Sequence, residues 1–388
     1  MISTCVACGG DSLAPLLDVG AVPAVVGAYW PSADAAVSAP NGELRLTVCR
    51  DCSHVSNAAF DPALIEYDGS YENSLHFSPS FQRYADALAE RLIARYDVRG
   101  KTVLEIGSGK GEFLKLLCDK GGNTGRGYDP TYDGESDAAD VTFVRDLYPL
   151  DGTGEPFDFL VCRHVLEHLE HPHEMLTGLR KGCADASTRV YLEVPNGAFT
   201  MSPSGQWDLI YPHVSYFTSA SLKCLVERSG FEVLAEGTAF DGEFLYVEAA
   251  PGDASSERGQ LAGSAEVAAL IRHAESFATT YRATVDDWRK RLALGAIPQQ
   301  RQAALWGAGA KGTTFANAVG RESRLAFVVD LNPRKWGSYL PGTGQVISAP
   351  ADLRGAGVDT VVITNATYLQ EVCDELATLG IGAEVVCV

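Results

Sequence analysis

The sequence predicts an α/β chain with two doubly wound parallel sheets behind a small cysteine-bearing region. Three observations carry that reading. Residues 101–117 pass from an apolar strand pattern (Val103, Leu104, Ile106) through Gly107, Gly109 and Gly111 into the helical repeat Phe113, Leu114, Leu116, Leu117. Residues 303–312 repeat that order, with an apolar run that ends at Gly307, Gly309 and Gly312. Two Cys-x-x-Cys pairs, Cys5 with Cys8 and Cys49 with Cys52, precede both.

A chain of 388 residues exceeds one ordinary core. The expected division is an N-terminal region with a lid (1–75), a first α/β domain (76–252), a linker with a connecting helix (253–294) and a second, Rossmann-like α/β domain (295–388). Apolar content of 46% with 21% charged residues describes a soluble globular protein. A net charge of −19 leaves no basic stripe for phosphates, which argues against a nucleic-acid partner. No apolar run reaches membrane-spanning length and no signal-peptide pattern opens the chain, so the cytoplasm is the default expectation. Monomer and homodimer both stay open.

A Cys-x-x-Cys turn presents two thiolates to one ion, and two such knuckles complete a tetrahedral site. Cys5, Cys8, Cys49 and Cys52 are therefore expected to hold structural zinc with no open coordination position. Residues 32–42, rich in Ala, Ser and Pro, read as a loop. Tyr67, Tyr71 and His76 lie in a turn-prone stretch before a helix expected over 81–96, and read as a lid that brings phenols to a site.

In the first α/β domain, Gly107 and Gly109 leave room for a ligand against the backbone, and Asp129 closes the next strand, where an acid can accept from both hydroxyls of a ribose. A third strand pattern ends at Asp146, and the runs 157–162 and 189–196 read as buried parallel strands. Ligands of such sheets bind beyond the strand C-termini. His164-Val-Leu-Glu167-His168 and Glu193-Val-Pro-Asn196 fall there. His164 and His168 are four apart; that spacing can serve a metal, but no third ligand is evident in the sequence. Residues 170–173 read as a solvated loop, and 241–249 as the last strands, with Gly242 as a turn.

Glu105-x-Gly-x-Gly-x-Gly with Asp129 resembles the first motif of the class I S-adenosylmethionine (SAM)-dependent methyltransferases. The resemblance becomes narrower once the Cys-x-x-Cys pairs, the tyrosine-rich lead-in, His-Val-Leu-Glu-His and His213-Val-Ser-Tyr216-Phe are taken together. Over essentially the whole chain these resemble the sugar C-methyltransferases, which act on nucleotide-linked 4-keto-deoxysugars in antibiotic sugar pathways. The likeness implies SAM bound by Glu105, Gly107, Ser108, Gly109, Asp129, Asp146 and His164. It implies His213 as the base that takes a proton beside the ketone, with His168 and Tyr71 holding the keto and enolate oxygen. It implies an acceptor near Tyr67, His76, Asn196, Tyr211, Tyr216 and Lys311. One position departs from the pattern: Pro212 stands where the family has a glutamate beside the base. Either Glu167 or Glu243 takes over, or the acceptor is an oxygen or nitrogen.

Residues 262–294 carry one apolar stripe (Val267, Leu270, Ile271, Ala274, Phe277, Tyr281, Trp288, Leu292) of a long amphipathic helix, expected to pack between domains. The second glycine loop, followed by a strand ending at Asp330, reads by itself as a dinucleotide site and raises an NAD-dependent oxidoreductase as a rival. The sugar C-methyltransferases share this loop and the Asp330-x-Asn332-Pro-x-Lys335 segment, and in them the domain helps form the substrate cleft. Lys311, at the following helix N-terminus, can receive an anionic group. A third reading is a non-catalytic protein whose knuckles dock a partner.

Overall fold

The computed structural model describes residues 4–27, 29–65, 74–134, 137–138, 140–252, 263–293 and 302–388. Tyr67, Tyr71 and most of the linker after Pro251 lie outside these residues. None of the described helices is long and apolar enough to cross a membrane.

The N-terminal region is an antiparallel sheet. Leu13–Pro23, Asn41–Cys49 and Val55–Asn57 pair in order, and the two-residue strand Ser215–Tyr216, from far along the chain, completes it. Leu44, Leu46 and Val48 alternate into the core with the period of two that a one-sided strand requires. Residues 32–42 are not a plain loop. They hold the short helix Ala33–Val37, because the Ser32 side chain accepts from the Ala35 N–H and caps it.

The central sheet runs Phe231–Ala239, Phe244–Pro251, Arg189–Pro195, Phe159–Arg163, Thr102–Ile106, Thr124–Tyr128, Val141–Val144 and Asp137–Ala138. The five strands from Arg189–Pro195 to Val141–Val144 are parallel, and those at both edges are antiparallel. Helices on the faces explain why Phe159–Arg163 is buried throughout. The chain moves one way from Thr102–Ile106 and later returns to its other side with Phe159–Arg163, so the switch point lies between those two strands. The hairpin near the end of the domain turns at Gly242, with φ +89°. Residues 170–173 depart from the loop expectation: Pro172 opens the helix Pro172–Lys181, where its missing N–H is harmless, and His173 Nδ1 lies 3.0 Å from Ser229 Oγ.

The helix Ala265–Arg291 buries Val267, Ile271, Ala274, Phe277, Tyr281, Val285 and Trp288 along one side. This stripe joins one apolar cluster with Leu44 and Leu46 of the first sheet and Leu305 and Phe315 of the last domain. The helix therefore packs between domains. The last domain is a wholly parallel sheet in the order Ile347–Ser348, Leu325–Val329, Gln302–Trp306, Val358–Ile363, Glu384–Cys387. Its switch point lies between Gln302–Trp306 and Val358–Ile363.

Candidate functional site

The C-terminal ends of the central strands Phe159–Arg163 and Arg189–Pro195, and the switch point of the last sheet, open onto one cavity of about 320 Å³. Its walls include His164, Glu167, His168, Asp208 and His213 from the central domain, and Gly307, Lys311, Lys335, Thr364 and Asn365 from the last one.

The central strand Phe159–Arg163 delivers the first group. Just past its end the backbone enters the left-handed region at His164 (φ 55°) and makes the short turn Leu166–His168. Glu167 is 1% exposed and both of its carboxyl oxygens are buried without a hydrogen-bond partner. Burial pushes its pKa well above the ordinary carboxylate value. His164 Nδ1 and His168 Nε2 stand 3.7 and 4.0 Å from Glu167 Oε1. The segment before Ser215–Tyr216 brings His213 edge-on to His168, with ring centroids 4.9 Å apart. One ligand-type atom from each of Glu167, His168 and His213 falls within 4.8 Å of the others. Burial holds both imidazoles at about 3, so both are neutral.

Pro212, whose side chain cannot orient an imidazole, contributes through its backbone. His168 Nδ1 lies 3.0 Å from the Pro212 carbonyl, which can only accept, so this nitrogen carries the proton and Nε2 presents its lone pair. Of the two acids weighed as partners for His213, Glu167 is the neighbour. Glu243 is engaged elsewhere: it accepts from Lys311, from Asn365 Nδ2 at 2.9 Å and from Thr367 Oγ1 at 2.9 Å, bridging the two α/β domains.

Beside this cluster lies a network that the sequence did not single out. Glu193 is fully buried and accepts from Arg163 Nε at 2.9 Å, from Tyr191 OH at 2.6 Å and from Tyr84 OH. Burial alone would raise its pKa, but Arg163 and His164 hold it well below the carboxylate range. Only the fold could reveal it, since Tyr84 lies more than a hundred positions earlier.

The glycine turn after Thr102–Ile106 fits a cofactor. A Cβ at Gly109 (φ +54°) would meet nothing within 4 Å, so the backbone there faces open space. The buried Glu105 Oε2 and Ser108 Oγ have no partners. Asp129 Oδ2 accepts from the Gly109 N–H at 2.8 Å and thereby fixes the turn. SAM would rest on these residues and supply an electrophilic methyl group. His164 lines the cavity on one side and faces Glu193 on the other, at 3.3 Å. Asp146 lies exposed, two residues beyond Val141–Val144. Gly109→Ala is expected to cost about 1–2 kcal/mol for its backbone conformation and to weaken SAM binding at least tenfold by filling that space; calorimetric titration checks it. Burial also pushes Glu105 up to about 8, so it holds a proton at pH 7. Cationic SAM favours the carboxylate, so binding near pH 7 is expected to release a proton, and Glu105→Gln to abolish the release. Titrations in buffers of differing ionisation enthalpy measure it.

Four proposed acceptor residues are placed away from the cavity walls. Tyr211 is wholly buried and its hydroxyl accepts from the Asp61 N–H at 2.7 Å. Tyr216 spends its hydroxyl on the Ile210 backbone. Asn196 caps the helix Gly197–Thr200 and donates to the Gly242 carbonyl at 2.8 Å. His76 packs its ring edge-on to Phe81, 5.2 Å away. Lys311 does line the cavity. Burial works against its charge, but Asp208 and Glu243 raise its pKa.

In the last domain Gly312 is required for packing, since a Cβ there would fall 1.9 Å from the Gly307 carbonyl oxygen. Asp330, on which a dinucleotide ribose would rest, accepts from the Ala308 N–H at 2.7 Å, as Asp129 does from Gly109, but it is also neutralised by the ammonium of Lys335 at 2.8 Å. That pairing weighs against the NAD reading. The four cysteine sulfurs lie within 4.8 Å of one another, with Cys5–Cys52 and Cys8–Cys49 both at 3.6 Å. Tetrahedral zinc with Zn–S bonds of about 2.3 Å sets its sulfurs about 3.8 Å apart, so the donors fit the ion.

Residues 80–236 match the Methyltransferase domain family, and residues 246–387 match the C-methyltransferase C-terminal domain family. No curated protein matches the sequence. Among solved structures, magnesium protoporphyrin IX methyltransferase from Synechocystis is 19% identical, with a TM-score of 0.35 over 45% of this chain and 84% of that one. The 1,6-didemethyltoxoflavin-N1-methyltransferase of Burkholderia thailandensis is 16% identical, with a TM-score of 0.36 over 45% of this chain and 82% of that one. The chain is a SAM-dependent methyltransferase that joins a methyltransferase domain to a C-methyltransferase C-terminal domain.

Proposed function

We propose that this enzyme methylates carbon on a nucleotide-linked 4-keto-deoxysugar, in deoxysugar or natural-product biosynthesis, and that the four cysteines hold structural zinc. The supporting observation is the convergence of Glu167, His168 and His213 on a cavity walled by the strand ends of both α/β domains. The second domain's description as a C-methyltransferase C-terminal domain points the same way.

A ketone at C4 acidifies the proton at C3. His213, buried and neutral, takes that proton, and the electron pair passes into the enolate, whose carbon receives the methyl group. Glu167 is the acid nearest His213, and its burial disfavours the carboxylate until a positive charge forms beside it. His168 spends its one ring proton on the Pro212 carbonyl, so its Nε2 presents a lone pair and does not donate to the keto or enolate oxygen. Lys311 and Lys335 stand on the far wall, each already paired with a carboxylate of the fold, Glu243 and Asp330, so an anionic nucleotide portion would meet balanced charge there.

The test is incubation with SAM and a panel of nucleotide-linked 4-keto-deoxysugars, followed by mass and NMR analysis. A new carbon-bound methyl is expected. A methyl on oxygen or nitrogen discards the enolate step, and no transfer to any member discards the acceptor class.

A further inference from the structure

We propose that Glu167, His168 and His213 form a second metal site, distinct from the four cysteines, that takes a divalent transition ion of the zinc or cobalt class. The three donors are two imidazole nitrogens and one carboxylate oxygen, all within 4.8 Å of one another at the cavity wall. That set suits borderline transition ions better than magnesium or calcium.

Two features of the structure support this ligand role. Glu167 and His213 are 1% and 6% exposed, and Glu167 Oε1, Glu167 Oε2 and His213 Nδ1 are buried with no hydrogen-bond partner. Such atoms are costly to bury unless something answers them. The His168 ring is oriented as a ligating histidine is, with Nδ1 donating to the Pro212 carbonyl at 3.0 Å and Nε2 turned toward Glu167. Donors bonded at about 2.1 Å stand about 3.4 Å apart, so loading draws the three atoms inward by about 1 Å. Glu167 can turn to meet the ion without breaking a hydrogen bond.

A bound ion holds the lone pair that His213 needs as a base. This consequence rests on the function proposed above: loading the second site suppresses carbon methylation, and removing the ion restores it.

The experiment starts from full-length enzyme with one zinc per chain on the cysteines. Cobalt(II) is then added and followed by its visible spectrum and by metal analysis. One further equivalent is expected, with weak bands of nitrogen and oxygen ligation and no sulfur charge-transfer band. Glu167→Gln and His168→Asn, both close in shape to the parent, are expected to weaken it at least tenfold while keeping the cysteine-bound zinc and SAM binding. Turnover is expected to fall at least tenfold as the second equivalent loads and to recover with a chelator that leaves the zinc in place. No second equivalent at millimolar cobalt, or a second equivalent kept by both variants, overturns the site. A second equivalent that leaves turnover unchanged overturns the suppression. An enzyme that methylates carbon only when cobalt-loaded keeps the site but overturns both the suppression and His213 as base.

Discussion

His213→Ala is expected to lower carbon methylation by about 10²–10⁴-fold, the usual worth of a positioned general base, with SAM affinity at the parent value. The two readouts separate because His213 lies at the cavity wall, whereas the cofactor turn at Gly107 and Gly109 belongs to another stretch of the central sheet. His213 is held from several sides: its N–H donates to the Ile210 carbonyl at 3.2 Å, and its ring meets His168 and Tyr216 edge-on. His213→Gln, which keeps bulk and polarity, guards against a trivial packing defect. Loss in both variants with normal SAM binding assigns the base. Near-parent rates in both would move the base elsewhere, with His168 next in line. The pH profile gives a second reading. A histidine near its ordinary value of about 6.5 would lose activity as the pH falls through that point. Burial holds His213 at about 3, so the neutral base persists below that point. With SAM saturating, so that the Glu105 ionisation is already complete, kcat/KM for the acceptor is therefore expected to stay level on the acid side down to about pH 5.

Cys49→Ser is expected to release the proposed zinc and destabilise the enzyme by more than about 4 kcal/mol, in the range that loss of a structural metal produces. Cys49 ends the strand Asn41–Cys49, and Cys52 precedes Val55–Asn57, so the ion would tie two strands of one small sheet at their ends. All four cysteines are buried, which leaves serine there with a poor ligand and a desolvated hydroxyl. Metal analysis and thermal unfolding measure the effect. A zinc-free variant with parent stability and full activity would remove the structural role.

Much of the fold was legible because its signals are contiguous. A strand, a glycine turn and a helix occupy adjacent residues, and so does a Cys-x-x-Cys knuckle; each needs no knowledge of what lies across the molecule. The site was legible only in part, because it depends on distances between segments. Nothing local chooses between Glu167 and Glu243 as the partner of His213. The choice follows from Glu243 reaching into the last domain to meet Lys311, Asn365 and Thr367. Tyr211 and Tyr216 read as site residues because they flank His213, yet their hydroxyls are bound to backbone within the fold. The short helix Ala33–Val37 hid in an Ala-rich stretch whose one proline, Pro40, signals a turn, since one serine cap and five residues carry little periodicity.

The pairing of Ser215–Tyr216 with Val55–Asn57 has a consequence for anyone recombining this enzyme. Two residues beyond His213 the chain becomes an edge of the cysteine-bearing sheet, with the Asn57 N–H donating to the Val214 carbonyl at 2.9 Å and Ser53 Oγ 2.7 Å from Thr218 Oγ1. The N-terminal region is thus not an exchangeable cassette that ends where its own sequence ends. A chimera that swaps residues 4–65 alone would graft a foreign seam onto the segment bearing His213, whereas one that carries residues 206–218 with them transplants both sides of the seam together.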